Sequence, residues 1–170
     1  YYVHDMERVR SLFVDKMDFA EIGVSGEDMN KRGKQRSVVF SAGEATFVFI
    51  EPIGIGGAAW RFLKKHPEGI GAVVFEVADI DHTFATIVSR GGTPIDEVQT
   101  FADAKGTWRS FSITTPFGDT TFRFVEIRGA FAAFPNFSPG LGALRLANRF
   151  GFRDIDHITS NFATMAPALL

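Results

Sequence analysis

Four histidines, His4, His66, His82 and His157, hold most of the side-chain chemistry this sequence could perform. An imidazole can bind a metal or carry a proton near neutral pH, but a metal site needs several donors brought together. His157 follows Asp156 in the run Ile155-Asp156-His157-Ile158, which reads as a strand. A strand-borne imidazole fixes a metal only when its other nitrogen is oriented by a partner. Taken alone, His157 is a polar residue on a half-buried strand. His4 falls at a strand-to-helix corner, His66 before a glycine turn and His82 on a solvated helix face. No partner donor lies near these three in the pattern, so they read as structural or exposed. Glu51 and Glu126 read as charges on strand edges. There is no cysteine, which excludes disulfides, thiolate zinc sites and thiol nucleophiles and fits a reducing cytoplasm.

Other motifs are weaker still. Gly54-Ile55-Gly56-Gly57 lacks the Lys-Ser/Thr ending of a phosphate loop and does not open a strand-helix-strand unit. Lys64-Lys65 is too short for a nucleic-acid patch. The net charge of −2 gives no basic excess for nucleic acid or an anionic membrane. No apolar run approaches the roughly 20 residues of a membrane span. With 45% apolar and 22% charged residues over 170 positions, the composition is globular. The excess of phenylalanine, 19 against 2 Trp and 2 Tyr, concentrates in alternating runs such as Phe47-Val48-Phe49 and Phe122-Arg123-Phe124. Such runs predict core packing more readily than an aromatic pocket.

The elements that must position these residues fall into a repeat. Tyr1-Tyr2-Val3 reads as a strand tail, and Asp5 caps a helix with Met6, Val9, Leu12, Phe13 and Met17 at helical spacing. A strand over 19–24, a charged loop over 27–36, a hairpin over 37–51 and a short helix over 58–65 follow. Then Gly71 to Val77 reads as a strand, and Asp79 caps a helix that ends at Gly91-Gly92. An extended stretch over 93–98 precedes strands over 107–114 and 120–127. Val3-His4-Asp5-Met6 matches Val77-Ala78-Asp79-Ile80 at an offset of 74, so each unit reads strand, helix, three strands. The expected fold is α+β, with paired β-α-β-β-β units forming a half-open barrel. The expected division is residues 1–127 (units 1–52 and 69–127), a linker over 128–153 rich in Phe, Pro and Gly, and a third beginning over 154–170. In the linker, residues 142–150 read as a short helix or coil. In the third beginning, the strand at 155–158 is followed by a helix from Phe162. A strand and half a helix have no sheet to join, so the chain is expected to be part of a longer protein.

Three stretches carry a family resemblance. His66-Pro67-Glu68-Gly69-Ile70 leading into Phe75-Glu76-Val77, Phe134 to Gly140, and Asp156-His157-Ile158-Thr159-Ser160-Asn161 are similar, in order and spacing, to segments of the 4-hydroxyphenylpyruvate dioxygenase family, within the vicinal oxygen chelate superfamily. The first resembles that family's His-Gly-Asp-Gly-Val lead into a Phe-Glu-Val strand, with Pro67-Glu68 in place of Gly-Asp. The second resembles the Phe-Leu-Pro-Gly link between its two domains, and the third the Asp-His-x-x-x-Asn opening of its catalytic domain. The resemblance implies Fe(II) held by two His and one Glu, an aromatic 2-oxo acid and O2 as substrates, and oxidative decarboxylation coupled to aromatic hydroxylation in tyrosine catabolism. It places one iron ligand at His157 and the other two after Leu170. In the second unit the equivalent iron-His position falls on Ala72 and the carboxylate position near Arg123 and Phe124, none of which is a ligand. The implied setting is cytoplasmic, with no nucleic-acid or membrane partner, and a homo-oligomer stays open. Two other readings remain: a metal-free binding protein like the glyoxalase/bleomycin-resistance proteins, and a 4-hydroxymandelate synthase.

Overall fold

In the computed structural model, which describes residues 1–131, 134–142 and 148–160, the chain divides into two compact units. One comprises residues 1–69 and the described part of 132–158, the other residues 70–131 with 159–160.

In the first unit Asp5 opens α1 (Met6–Arg10) by accepting the Arg8 N–H at 3.0 Å. The helix continues as a π-helical stretch, Ser11–Lys16, in which the Met17 N–H reaches back five residues to Leu12. This wider winding breaks the expected 3.6-residue register. Leu12 turns outward, 46% exposed, and Phe13 swings inward against Phe19, Phe40, Phe47 and Phe49, with ring centroids 4.7–5.8 Å apart. The phenylalanine runs therefore build a core, as their alternation predicts. Strands β1 (Ala20–Ser25), β2 (Gln35–Ala42) and β3 (Ala45–Pro52) pair antiparallel in sequence order. Tyr2 bridges Ile50 in parallel on the outer edge of β3.

Residues 27–33 are a helix, α2 (Glu27–Gly33), not the expected loop. Glu27 and Asp28 lie in the first turn and Lys31 and Arg32 in the last, the charge order that complements the helix dipole. Lys34, left-handed at φ 52°, ends it. After the Gly54–Gly57 loop, α3 (Ala58–Lys65) forms as expected.

The second unit repeats the plan. β4 (Ala72–Glu76) leads to α4 (Ile80–Ser89), capped by Asp79 on the His82 N–H at 2.9 Å. Then come β5 (Gln99–Asp103), β6 (Gly106–Ile113) and β7 (Thr121–Gly129). The extended stretch expected at 93–98 is displaced to β5. The tight turn at Asp103–Gly106, where the Asp103 carboxylate accepts the Lys105 N–H at 2.7 Å, sets the hairpin register. That leaves Pro94 a single bridge to Ile113. The sheet order is β4-β7-β6-β5, with β4 parallel to β7. Read as first, fourth, third, second strand, it is the order Tyr2-β3-β2-β1 of the first unit. The 74-residue repeat thus describes two copies of one β-α-β-β-β topology.

Two expectations fail after residue 130. The Pro- and Phe-rich segment is not wholly irregular: β8 (Phe137–Pro139) pairs antiparallel with β1. Conversely, residues 155–158 form no strand, and all of 151–160 is exposed. Residue type is a local signal, whereas a strand exists through hydrogen bonds to a neighbour. The helix read from Phe162 and most of that read over 142–150 lie outside the described residues. No described helix is long and apolar enough to cross a membrane.

Candidate functional site

His157 sits on the exposed segment that follows Arg153, its side chain 72% accessible. Its Nδ1 lies 2.5 Å from Asp156 Oδ2. In the tautomer with the proton on Nδ1, that contact is a hydrogen bond to the carboxylate. Nε2 then presents its lone pair outward, as a metal-ligating imidazole does. The donor chemistry fits a divalent cation, but the donor count does not. Among the described residues no three His, Cys, Asp or Glu side chains converge, and one imidazole cannot hold Fe(II) against water.

The second unit supplies no replacement. In the parallel β4–β7 pair, Ala72 stands opposite Thr121 and Val74 opposite Arg123, so the two sequence-assigned positions share one face of neighbouring strands. A methyl group and a guanidinium occupy it, and the Arg123 Nε–H donates to Ser112 Oγ at 3.1 Å. Phe124 points to the other face, its ring stacked on Phe111 at 5.0 Å.

Glu51 and Glu126 are more than strand-edge charges. Glu51 Oε1 accepts the Met6 N–H at 3.1 Å, and Glu126 Oε2 accepts the Ile80 N–H at 3.0 Å. Each carboxylate satisfies the first free N–H of the unit's main helix and sits at its positive end. Cross-strand arginines complete the repeat: Arg36 stands opposite Glu51 and Arg109 opposite Glu126. Arg36 reaches Glu7 at 3.6 Å, and Arg109 grips Asp81 with two contacts of 2.7 Å. Glu7 and Asp81 are themselves related by the offset of 74. The Arg109 hydrogen bonds hold the exposed Asp81 carboxyl below its usual range. These acids are committed to architecture.

The remaining histidines also serve the frame or lie outside chemistry. The His4 N–H donates to Glu68 Oε1 at 2.7 Å, and Glu68 also pairs with Arg8. The backbone N–H of His4, with Arg8 second, holds the Glu68 carboxyl below its ordinary value. The His66 ring lies 4.7 Å from Phe62, and His82 is exposed on α4.

One buried pair escapes sequence reasoning. Glu21, 3% exposed, takes the Arg10 Nε–H at 2.6 Å and Nη2–H at 3.3 Å. A register shift in β1 between Glu21 and Gly23 interrupts the regular alternation there. The pair lines an open cleft of about 340 Å³ with Glu7, Ser11, Val14 and Asp15.

The fold and the repeat define the class. Residues 1–120 match the Glyoxalase/Bleomycin resistance protein/Dioxygenase superfamily, and the chain belongs to it. Its paired β-α-β-β-β units with open sheets are the vicinal oxygen chelate fold. Its relatives include the 4-hydroxyphenylpyruvate dioxygenases of Yarrowia lipolytica, 27% identical over 143 residues (81% of this chain, 36% of that protein), and Dictyostelium discoideum, 24% identical over 170 residues (96% and 46%). The chain thus spans a third to a half of the length of these two relatives. Among solved structures, a variant of 4-hydroxymandelate synthase from Streptomyces coelicolor superposes with a TM-score of 0.72 at 20% identity, over 86% of this chain and 42% of that one. Methylmalonyl-CoA epimerase from Mycobacterium tuberculosis gives 0.61 at 18%, over 75% and 83%. Both likenesses speak for the fold.

Proposed function

We propose that this chain is the amino-terminal part of a non-haem Fe(II) oxygenase acting on an aromatic 2-oxo acid, of the 4-hydroxyphenylpyruvate dioxygenase kind. The observation that carries the reading is the Asp156–His157 pair, an outward-facing imidazole with its second nitrogen against a carboxylate, following two superfamily units. In this reading His157 Nε2 is one of three protein donors and the other two come from chain beyond these residues. Fe(II) held there would offer open positions for chelation by the 2-oxo acid's carboxylate and keto oxygens and for O2. The two units described here would then act as scaffold. The setting would be the cytoplasm, in tyrosine catabolism. A 4-hydroxymandelate synthase is the neighbouring reading, since the two chemistries differ in the product made from one substrate class.

A metal-free binding protein is the second reading. It is favoured by Ala72 and Arg123, which stand at the positions where the second unit would need metal donors. Oxygen uptake separates the readings. The full-length gene product, with Fe(II), a reductant and 4-hydroxyphenylpyruvate, is expected to consume O2 and release CO2 in equal amounts. Product analysis then divides ring hydroxylation from benzylic hydroxylation. A full-length protein that binds aromatic acids without O2 uptake at any Fe(II) level supports the binding protein instead.

A further inference from the structure

Between β8 and the Asp156–His157 pair, the described residues Asn148–Arg153 are held at both ends. At one end Asp18, 4% exposed and left-handed at φ 60°, uses its backbone and its side chain together. Its carbonyl accepts the Asn148 N–H at 2.8 Å, and its Oδ2 accepts the Arg149 N–H at 2.7 Å. At the other end the Glu44 N–H, on the β2–β3 turn, donates to the Arg153 carbonyl at 2.6 Å. Between the two anchors the segment closes on itself. Asn148 exchanges two side-chain hydrogen bonds of 2.7 Å with the backbone of Phe152. The Phe152 ring packs 5.3 Å from Phe19 in the core side of the sheet. The fit is tight at Gly43, also left-handed, where a Cβ would stand 2.4 Å from the Phe152 carbonyl oxygen and 2.6 Å from that of Arg153.

We propose that Asn148–Arg153, buckled onto Asp18 and the Gly43–Glu44 turn, is a fixed joint that sets where the chain leaves the first unit, and that Asp18 is thereby a positioning residue for His157. The second clause rests on the reading of His157 as a metal donor. The first stands on the contacts alone. A joint of this kind has a physical use. A donor four residues past a free tether would carry the ordering cost of the whole tether on binding a metal, whereas a donor four residues past an anchored carbonyl carries only that of the residues after the anchor.

Residue-resolved amide hydrogen exchange on the 170-residue chain tests the joint. The N–H groups of Glu44, Asn148, Arg149 and Phe152 are expected to exchange at least about tenfold more slowly than those of residues 155–158, which are exposed and whose backbone N–H groups bond to no other described residue. Asp18→Gly keeps the left-handed backbone and removes the carboxylate. Asn148→Gly removes the buckle's own closure without touching the core. Each should bring Glu44 and Arg149 to the rate of 155–158 while the amides of β2 keep theirs. Asp18→Asn, whose amide oxygen still accepts, should retain the protection. Unprotected 148–152 in the parent chain, or unchanged protection in Asn148→Gly, overturns the joint, and the latter variant decides the matter even if Asp18→Gly fails to fold. The positioning role is read in the full-length gene product by Fe(II) affinity. A loss of about tenfold or more is expected in both glycine variants, with Asp18→Asn restoring it. Unchanged affinity alongside lost protection makes the joint structural only and overturns the role. A full-length protein that binds no Fe(II) at all fails the His157 reading instead, leaving the exchange result to stand by itself.

Discussion

At the scale of single residues, the acids and histidines divide between frame and chemistry according to what surrounds them. Glu21 and Arg10 are frame. Replacing Arg10 by Met leaves the Glu21 carboxylate buried without its partner. The expected cost is about 2–3 kcal/mol, below the ~3–5 of a fully enclosed pair because Arg10 keeps some contact with water. Denaturant titration measures it, and replacing both members by apolar residues should recover most of the loss. Glu68 is frame as well. Its carboxyl is held low by the His4 N–H and by Arg8, so its contribution is present above the unfolded-state value and is lost as pH falls through the folded one. Glu68→Gln is therefore expected to lower the Tm at pH 7, with the gap to the parent closing as pH drops below about 4.3. His157 differs in having an accessible ring nitrogen and no role in packing. In the full-length protein His157→Ala is expected to fold normally while losing tightly bound iron and turnover, and His66→Ala and His82→Ala should keep both. Stoichiometric iron in the His157 variant would remove it from the site.

Elements are set by pairs of features that recur in both units. The N-cap aspartates Asp5 and Asp79 adopt nearly the same backbone, φ −140° and −142°. The glutamates of β3 and β7 take the first helix N–H, of Met6 and Ile80. Capping by two carboxylates fixes where each helix begins relative to its own sheet. Asp79→Ala is expected to destabilise the second unit by about 1 kcal/mol, the usual worth of such a cap. Thermal unfolding followed by circular dichroism reads it. Charge order explains α2 in the same way: a charged run containing Gly33 resembles a loop, yet its acids precede its bases and its glycine falls at the end. Both the caps and the charge order are local signals. The short β8 is of another kind. Phe137 to Pro139 carry no strand pattern of their own, and β1 offers them an open edge.

For the molecule as a whole, the two units account for the superfamily fold, and in the proposed reading the described residues would supply one donor, His157, of the three that the chemistry requires. The 170-residue chain is accordingly expected to show oxygen uptake at background with Fe(II), reductant and 4-hydroxyphenylpyruvate, under conditions where the full-length protein turns over. Turnover by the shorter chain would mean that the whole donor set lies within it and that the iron-site assignment is wrong.

The sequence by itself determined the repeat, the two aspartate caps, the β2–β3 hairpin and the phenylalanine core. Each is written within a few residues by capping side chains, turn residues or alternation, and each survives in the structure. It also marked His157, through its match to a family motif. Tertiary structure decided what those signals could not reach. It gave Glu51 and Glu126 to helix termini across the sheet and closed Glu21 against Arg10 beside a register shift. It also tied Asn148–Arg153 to Asp18, more than a hundred residues away in sequence. It withheld a strand from residues 155–158, which pair with no described strand. A backbone amide or a buried carboxylate is satisfied by whichever group folding brings within about 3 Å, and residues distant along the chain supply that group in each of these cases.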